Sequence, residues 1–218
     1  WHRAAMALTV NAVRVLGALL EKERTTPDAY PLTTQALVAA CNQKTARDPV
    51  LQLHLREVEE GLQQLRDRGL AQTIRGAGDR VPKHRQRFTD AARLGPREAA
   101  VMALLMLRGA QTPGELRTRA ERYLAFPDVA SVEATLHGLT ERSPALVENR
   151  GRGPGQSQDR WVHTLGTDDE ERRPRARPVD ARDAGDGSVP SEAPTRAELL
   201  RRIEALEARV AALEAKEA

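Results

Sequence analysis

An internal repeat is the feature that most constrains the fold of this chain. A displacement of 86 positions superimposes the pairs Leu8 and Leu94, Val15 and Val101, Leu19 and Leu105, Thr26 and Thr112, and Pro27 and Pro113. A displacement of 74 positions superimposes Val58 and Val132, Glu59 and Glu133, Leu62 and Leu136, Leu65 and Leu139, and Arg68 and Arg142. Because the two displacements differ by 12 positions, the first copy is predicted to contain a 12-residue insertion between the two matched segments. Self-similarity of this kind indicates two copies of one structural unit.

Each copy is predicted to form three helices followed by a β-hairpin. In the first copy, Thr9 is the expected N-cap of an apolar helical stripe, and a short helix follows over residues 33–41. A third helix over residues 55–68 ends at Gly69, and strands 70–74 and 80–88 flank a glycine-containing turn. Pro82 predicts an edge position for the second strand, because proline cannot donate to a sheet ladder.

The second copy shows the same signals. Pro96 opens a first helix, and Thr112 with Pro113 gives the N-cap and first residue of the next. Asp128 begins a third helix, and residues 146–147 and 161–163 are the expected strands. Three helices and a hairpin are the plan of a winged helix, whose third helix enters the major groove of DNA. We therefore expect an α+β chain, mainly α, with two tandem winged-helix domains over residues 8–90 and 94–166.

Several stretches of the sequence resemble the YceH family of bacterial proteins. They are LLEK at 19–22, TTPDAYPL at 25–32, ACNQKT at 40–45, RDPV at 47–50 and LRGAQTPGELR at 107–117. The resemblance covers roughly residues 8–165, and it implies a tandem winged-helix fold and no particular activity. His54 departs from the family pattern, in which a serine caps the third helix, so the start of that helix is left open.

Composition argues against several classes of protein. The five histidines lack the spacing to cysteine or carboxylates that a metal site requires, and no phosphate-binding loop is present. Cys41 has no catalytic signature and is expected to be a small buried residue. No apolar run is long enough for a membrane span or a secretory signal. We expect a cytoplasmic protein that is not an enzyme and has no cofactor, no metal and no membrane partner.

Basic residues are concentrated on the two predicted hairpins. The third helix of each copy carries more acidic than basic side chains, which opposes insertion into DNA because phosphate neutralisation supplies most nonspecific affinity. The candidate DNA-binding residues on the hairpins are instead Arg75, Arg80, Lys83, Arg85, Arg87, Arg150 and Arg152. Strand alternation places Lys83, Arg85 and Arg87 on one face. The alternative is a solvated edge hairpin whose charges prevent aggregation.

A polar loop over residues 42–48 is the second candidate for DNA contact. Asn, Gln and Arg are the residue types that make bidentate contacts with base edges. The candidate residues here are Asn42, Gln43, Lys44, Thr45 and Arg47. The alternative is that Asn42 and Asp48 cap and turn the loop while its basic residues are solvated.

The end of the sequence predicts a coiled coil. Residues 167–194 are polar and proline-rich, which indicates a disordered linker. Residues 195–218 follow with apolar side chains spaced 4, 3, 4 and 3 apart, at Leu199, Ile203, Leu206, Val210 and Leu213. Branched residues at a with leucine at d favour a parallel dimer. The alternative is one amphipathic helix that docks on another surface.

Two hypotheses of function remain open at this point. The first is a dimeric DNA-binding protein, in the role of a transcriptional regulator, whose polar loop and hairpins touch duplex DNA. The second is a scaffold in which the winged helices and the coiled coil bind a protein partner. The acidic third helices favour the second hypothesis, and the basic hairpins favour the first.

Overall fold

The computed structural model describes residues 7–76, 80–153 and 155–166, which all belong to one compact unit. Within these ranges the chain is α+β, with seven α-helices and two small antiparallel sheets. None of these helices has the length and apolarity that crossing a membrane would require. The predicted linker and coiled coil lie outside the described residues.

The first repeat follows the predicted order of helices and adds a short strand. Its elements are α1 (Val10–Thr25), β1 (Leu32–Thr33), α2 (Thr34–Cys41), α3 (Leu55–Asp67), β2 (Ala71–Ile74), β3 (Lys83–Gln86) and α4 (Phe88–Ala91). Thr9 caps α1 as predicted, because its Oγ1 accepts from the Ala12 N–H at 3.3 Å. His54 occupies the N-cap of α3, and the Glu57 carboxylate accepts from the His54 N–H at 2.8 Å.

The sheet of the first repeat corrects one prediction. Its strand order is β1-β3-β2, so β3 is the central strand and not an edge strand. Pro82 lies immediately before β3, where its missing N–H removes no ladder hydrogen bond. The strand is also shorter than predicted, since Phe88 begins α4. Leu32 pairs with His84 on one side of β3, and Thr73 pairs with His84 on the other.

The second repeat follows the prediction closely. Its elements are α5 (Pro96–Arg108), α6 (Pro113–Ala120), α7 (Val129–Thr140), β4 (Val147–Asn149) and β5 (Trp161–His163). Thr112 caps α6 by accepting from the Glu115 N–H at 3.2 Å. Asp128 caps α7 by accepting from the Ser131 N–H at 2.7 Å. A bridge between Gln111 and Trp161 adds a third short segment beside the β4–β5 hairpin.

The two repeats pack together through α1 and α5. One hydrophobic cluster runs from Leu16 and Leu19 on α1 to Met102 and Leu105 on α5. Gly17 lies at the closest approach, where an added Cβ would meet the Met106 Cβ at 2.9 Å. A glycine is therefore required here by the proximity of a side chain and not by its backbone conformation. The described residues consequently share one core, which gives both hairpins a rigid support.

Candidate nucleic-acid interface

Strand alternation sorts the side chains of β3 onto two faces. We call the β2–β3 pair with its connection the first hairpin, and the face that bears Lys83 and Arg85 its outer face. Both residues are partly exposed, whereas His84 and Gln86 point inward and are buried. The predicted separation of the basic side chains onto one face is confirmed for these two residues. Arg87 follows the strand, at the N-cap of α4.

One neutral amide positions two of the guanidinium groups beside the outer face. Arg85 lies opposite Gln72 on β2, and it donates from Nε and Nη2 to the Gln72 Oε1 at 3.1 and 2.8 Å. Arg87 donates from Nη1 to the same oxygen at 3.3 Å, and its Nε lies 3.3 Å from the Asp90 carboxylate. The Gln72 amide is uncharged, so it positions Arg85 without neutralising it, whereas Arg87 also has the Asp90 carboxylate beside it.

The inner face anchors the hairpin to the helices. His84 hydrogen-bonds through Nε2 to the Thr34 Oγ1 at 3.0 Å and through Nδ1 to the Thr73 Oγ1 at 3.1 Å. Burial is the main cause that lowers the pKa of His84, and the positive charge of Arg66 lowers it further. The Gln86 N–H donates to the Tyr30 hydroxyl at 2.6 Å. The outer face is therefore presented on a fixed strand.

The connection of the first hairpin adds two more basic residues. Arg75 and Arg80 are both exposed, and they flank residues 77–79, which lie outside the described ranges. Between positions 71 and 90 the sequence has five basic residues and two acidic ones. A net positive charge with exposed basic side chains is the electrostatic condition for contact with a polyanion.

The arginines of the second hairpin, β4–β5, have carboxylate partners instead. Arg150 is ion-paired with Glu148, and the Arg152 Nε lies 3.1 Å from the Asp159 carboxylate. Arg160 reaches across to α6, where its Nη1 lies 3.0 Å from Glu115. These pairs neutralise the predicted basic residues Arg150 and Arg152 within the chain. The two hairpins thus differ in available charge although they occupy equivalent places in the repeats.

The exposed face of α3 is acidic. The helix contains four carboxylates and two arginines. Arg56 is engaged with Glu60 at 2.8 Å, and Arg66 donates to the Thr73 Oγ1 at 3.2 Å. A groove of about 570 Å³ separates α3 from the first hairpin, and Glu59, Glu60, Arg56 and Arg66 all line it. The helix as a whole carries a net negative charge, which disfavours the approach of phosphates.

Most of the polar loop turns its functional groups inward. The Asn42 side-chain amide donates to the Leu53 carbonyl and accepts from the Leu53 N–H, both at 2.8 Å. The Gln43 Oε1 accepts from the Arg47 Nη2 at 3.0 Å. Lys44 and Thr45 remain exposed. The contacts of Asn42 therefore support the alternative in which this residue caps and turns the loop.

Arg47 lies inside the protein, so its predicted place on a DNA-contacting surface requires correction. Its side chain is 0% exposed and forms an ion pair with Glu21, which is also 0% exposed. Arg47 also donates from Nε and Nη2 to the Ala40 carbonyl at 3.1 and 2.7 Å. The Tyr123 hydroxyl donates to Glu21 at 3.2 Å, so this cluster joins the first repeat to the second. Because burial removes water from both charged groups, the ion pair and the hydrogen bonds are needed to offset the free-energy cost of desolvation.

Two residues of these sites were not identified from the sequence. Gln72 could have been found from the pairing of β2 with β3, which places it opposite Arg85. Glu21 lies on the apolar stripe of α1, and a carboxylate at such a position signals a buried partner. Its partner Arg47 lies 26 positions later, and periodicity within one helix gives no information on such a contact.

The described residues offer no alternative site of metal or thiol chemistry. They contain no group of three or more His, Cys, Asp or Glu side chains that could hold a metal ion. Cys41 is buried at the end of α2, and burial raises its pKa to about 12. A thiol with so high a pKa is a poor nucleophile at neutral pH. The predicted dimer residues Leu199, Ile203, Leu206, Val210 and Leu213 lie outside the described ranges.

Comparison with known proteins gives the family. Residues 8–156 match the family described as "Protein of unknown function, DUF480". The chain belongs to this family. A UPF0502 protein of Solibacter usitatus is 50% identical over 161 residues, which cover 74% of this chain and 77% of the relative. A UPF0502 protein of an Acidovorax species is 44% identical over 95% of this chain and 90% of its own length.

The resemblance to YceH proteins is confirmed by the same comparison. The UPF0502 protein YceH of Salmonella paratyphi A is 41% identical over 213 residues, which cover 94% of this chain and 92% of that protein. The names of these relatives carry no substrate, ligand or partner.

Proposed function

We propose that this chain is a DNA-binding protein that contacts duplex DNA through the outer face of the first hairpin. The observation that carries the proposal is the difference in charge compensation between the two hairpins. Arg85 is positioned by the neutral Gln72 amide and Arg87 has the Asp90 carboxylate beside it, whereas Arg150 and Arg152 are both paired with carboxylates. Positive charge that is held in place but not neutralised attracts phosphates and releases counterions when it binds them.

The order of elements supports a winged-helix interpretation of each repeat. A helix, a short strand, two helices and a hairpin follow one another in the first repeat, and the sheet order is β1-β3-β2. The second repeat has the same order, with the Gln111 bridge in place of the strand. In this proposal the hairpin is the wing, and it contacts DNA in preference to the acidic α3.

The remaining parts of the proposal come from sequence. Residues 195–218 form a parallel coiled-coil dimer through Leu199, Ile203, Leu206, Val210 and Leu213, and residues 167–194 link it to the repeats. The dimer acts in the cytoplasm as a regulator of transcription and not as an enzyme. Sedimentation equilibrium of the full chain distinguishes a dimer from a monomer, and Leu206→Asp is expected to abolish the dimer.

The test measures DNA affinity as salt is raised. Purified full-length chain is titrated into labelled duplex DNA from about 50 to about 200 mM salt, and anisotropy gives the affinity. The Arg75→Gln/Arg85→Gln variant removes two charges from the first hairpin. The matched control, Arg150→Gln/Arg152→Gln, removes two charges from the second. Circular dichroism establishes that both variants fold.

The expected outcome is specific to the first hairpin. Each lost phosphate contact reduces the steepness of the plot of log affinity against log salt by about 0.9. The slope of the Arg75→Gln/Arg85→Gln variant is therefore expected to be shallower by roughly 1.8, and the slope of the control is expected to be unchanged. Equal losses in the two variants would assign the contact to overall charge and overturn the proposal. Absence of binding by the wild-type chain at low salt would also overturn it.

A second candidate function is supported by the acidic face of α3. Glu59 and Glu60 are exposed beside a groove that Arg56 and Arg66 also line, so a partner segment that carries both basic and acidic side chains fits it. In this alternative the repeats form a protein-interaction scaffold. A stable complex that persists when Arg75 and Arg85 are replaced, but is lost in a Glu59→Gln/Glu60→Gln variant, would favour the scaffold over DNA binding.

A further inference from the structure

We infer that the chain recognises the phosphate backbone of duplex DNA without reading the base sequence. This inference rests on the proposed function and concerns the kind of DNA site that the first hairpin accepts. Base readout requires hydrogen-bonding groups that can reach base edges, whereas phosphate contact requires only positioned cations. The first hairpin provides positioned cations, and the polar loop uses most of its amide and guanidinium groups for contacts inside the fold.

The amide groups of the polar loop are used inside the fold. Both polar atoms of the Asn42 amide bind the backbone of Leu53, so replacing either bond by a base contact would leave a backbone group unpaired. The Gln43 Oε1 accepts from Arg47, and the guanidinium of Arg47 is buried against Glu21. Of the five residues that this loop offered for base contact, only Lys44 and Thr45 remain exposed.

The acidic face of α3 opposes the usual entry into the major groove. A recognition helix in that groove lies between two rows of phosphates. Glu59, Glu60 and Asp67 are exposed on α3, and Arg56 is already paired with Glu60. Placing this face in the groove would bring carboxylates toward phosphates with little cationic charge to compensate for them. The helix therefore stays outside the groove when the hairpin binds.

The outer face of the first hairpin carries two cationic side chains next to each other. Lys83 and Arg85 are two residues apart on β3, which separates them by about 6.8 Å along the strand. Two cations on one face can approach the phosphates of one duplex together. Because phosphates repeat identically in every sequence, a contact of this kind has no preferred base pair.

The test compares the affinity of the full-length chain for several duplexes of equal length. The panel contains an alternating A·T duplex, a G·C-rich duplex and two mixed sequences, all measured by anisotropy at one salt concentration. The expected dissociation constants differ by less than about tenfold, whereas proteins that read bases separate specific from nonspecific sites by about a thousandfold or more.

Selection of bound duplexes from a random library is an independent test, and no enriched sequence motif is expected. A Lys44→Gln/Thr45→Ala variant replaces the two exposed loop residues without touching a buried contact. If the loop reads no bases, any loss of affinity is the same for each duplex of the panel.

Three results are distinguishable. Similar affinities for all duplexes and no selected motif support the inference. A preference above about tenfold, a selected motif, or a sequence-dependent loss in the Lys44→Gln/Thr45→Ala variant overturns it and leaves the proposed DNA binding intact. Failure to bind any duplex overturns the proposed function, and the inference with it.

Discussion

Replacement of Arg47 by methionine distinguishes a structural arginine from a DNA-contacting one. The guanidinium is fully buried, where it pairs with the Glu21 carboxylate and donates to the Ala40 carbonyl. Arg47→Met keeps most of the side-chain volume but removes the charge. The Glu21 carboxylate is then left in the interior without its main partner, and breaking a buried ion pair in this way typically costs about 3–5 kcal/mol.

The surrounding contacts place the expected loss near the lower end of that range. The Tyr123 hydroxyl still donates to Glu21 at 3.2 Å, and an Arg122 Nη2 lies 3.6 Å from the same carboxylate. Arg122 is 45% exposed, so water screens its attraction to Glu21. We expect the free energy of unfolding to fall by about 3 kcal/mol, a large share of the roughly 5–15 kcal/mol that stabilises a folded protein.

Urea unfolding at a fixed protein concentration measures this loss. The concentration must be fixed because association between chains would add to the apparent stability. Arg56→Met is the matched control, since the Arg56–Glu60 pair is 88% and 61% exposed, and its urea midpoint is expected to stay within error of the wild type. A Glu21→Gln/Arg47→Met variant should recover part of the stability, because both buried charges are then absent.

A different pattern would refute this reasoning. If Arg47→Met unfolds at the wild-type urea concentration and binds DNA more weakly, Arg47 lies on the binding surface and the buried pair with Glu21 is wrong. If the loss of stability in the Glu21→Gln/Arg47→Met variant equals the sum of the losses in the Glu21→Gln and Arg47→Met single variants, the two side chains do not interact.

Three further predictions concern packing, acidity and thiol chemistry. Gly17→Ala is expected to lower the free energy of unfolding by about 1–3 kcal/mol, because the new Cβ would meet Met106 at 2.9 Å. Because the pKa of His84 is lowered in the folded chain, the unfolded chain takes up a proton at a higher pH than the folded one. The free energy of unfolding should therefore fall as the pH drops below 6.5. The His84→Gln variant should show a smaller fall. Cys41, with a pKa of about 12, should react with a disulfide reagent at pH of about 8 only after urea unfolds the chain.

The chain supplies controls for these predictions. Gly138 on α7 has open space around its missing Cβ, so Gly138→Ala is expected to stabilise the protein by roughly 0.5–1 kcal/mol. A loss in both glycine variants would contradict the packing at Gly17. A wild-type pH profile that His84→Gln leaves unchanged would assign the titration to another group. Rapid reaction of native Cys41 would show that the end of α2 is open to solvent.

Local signals in the sequence were sufficient for most helices. Thr9 and Thr112 were identified as N-caps and Asp128 as the start of a helix, and each of the three accepts a capping backbone hydrogen bond. The repeat also predicted that the third helix and hairpin would recur. These features depend on residues a few positions apart, where propensity and capping rules apply directly.

Features that depend on distant residues were not predictable in the same way. The central position of β3 follows from its pairing with β1, which is only two residues long and gives no periodic signal. The burial of Arg47, which lies in the loop after α2, depends on Glu21 of α1, 26 positions earlier. Neutralisation of the second hairpin likewise depends on which carboxylates lie near each arginine. The positions of the basic residues are visible in the sequence, whereas their carboxylate partners depend on tertiary contacts.

Amide hydrogen exchange with and without duplex DNA tests most directly whether the first hairpin is the binding surface. The account predicts slower exchange on DNA addition in β2, β3 and the residues that flank their connection, with little change in α3 or in the second hairpin. Protection concentrated in α3, or shared equally by the two hairpins, would contradict it.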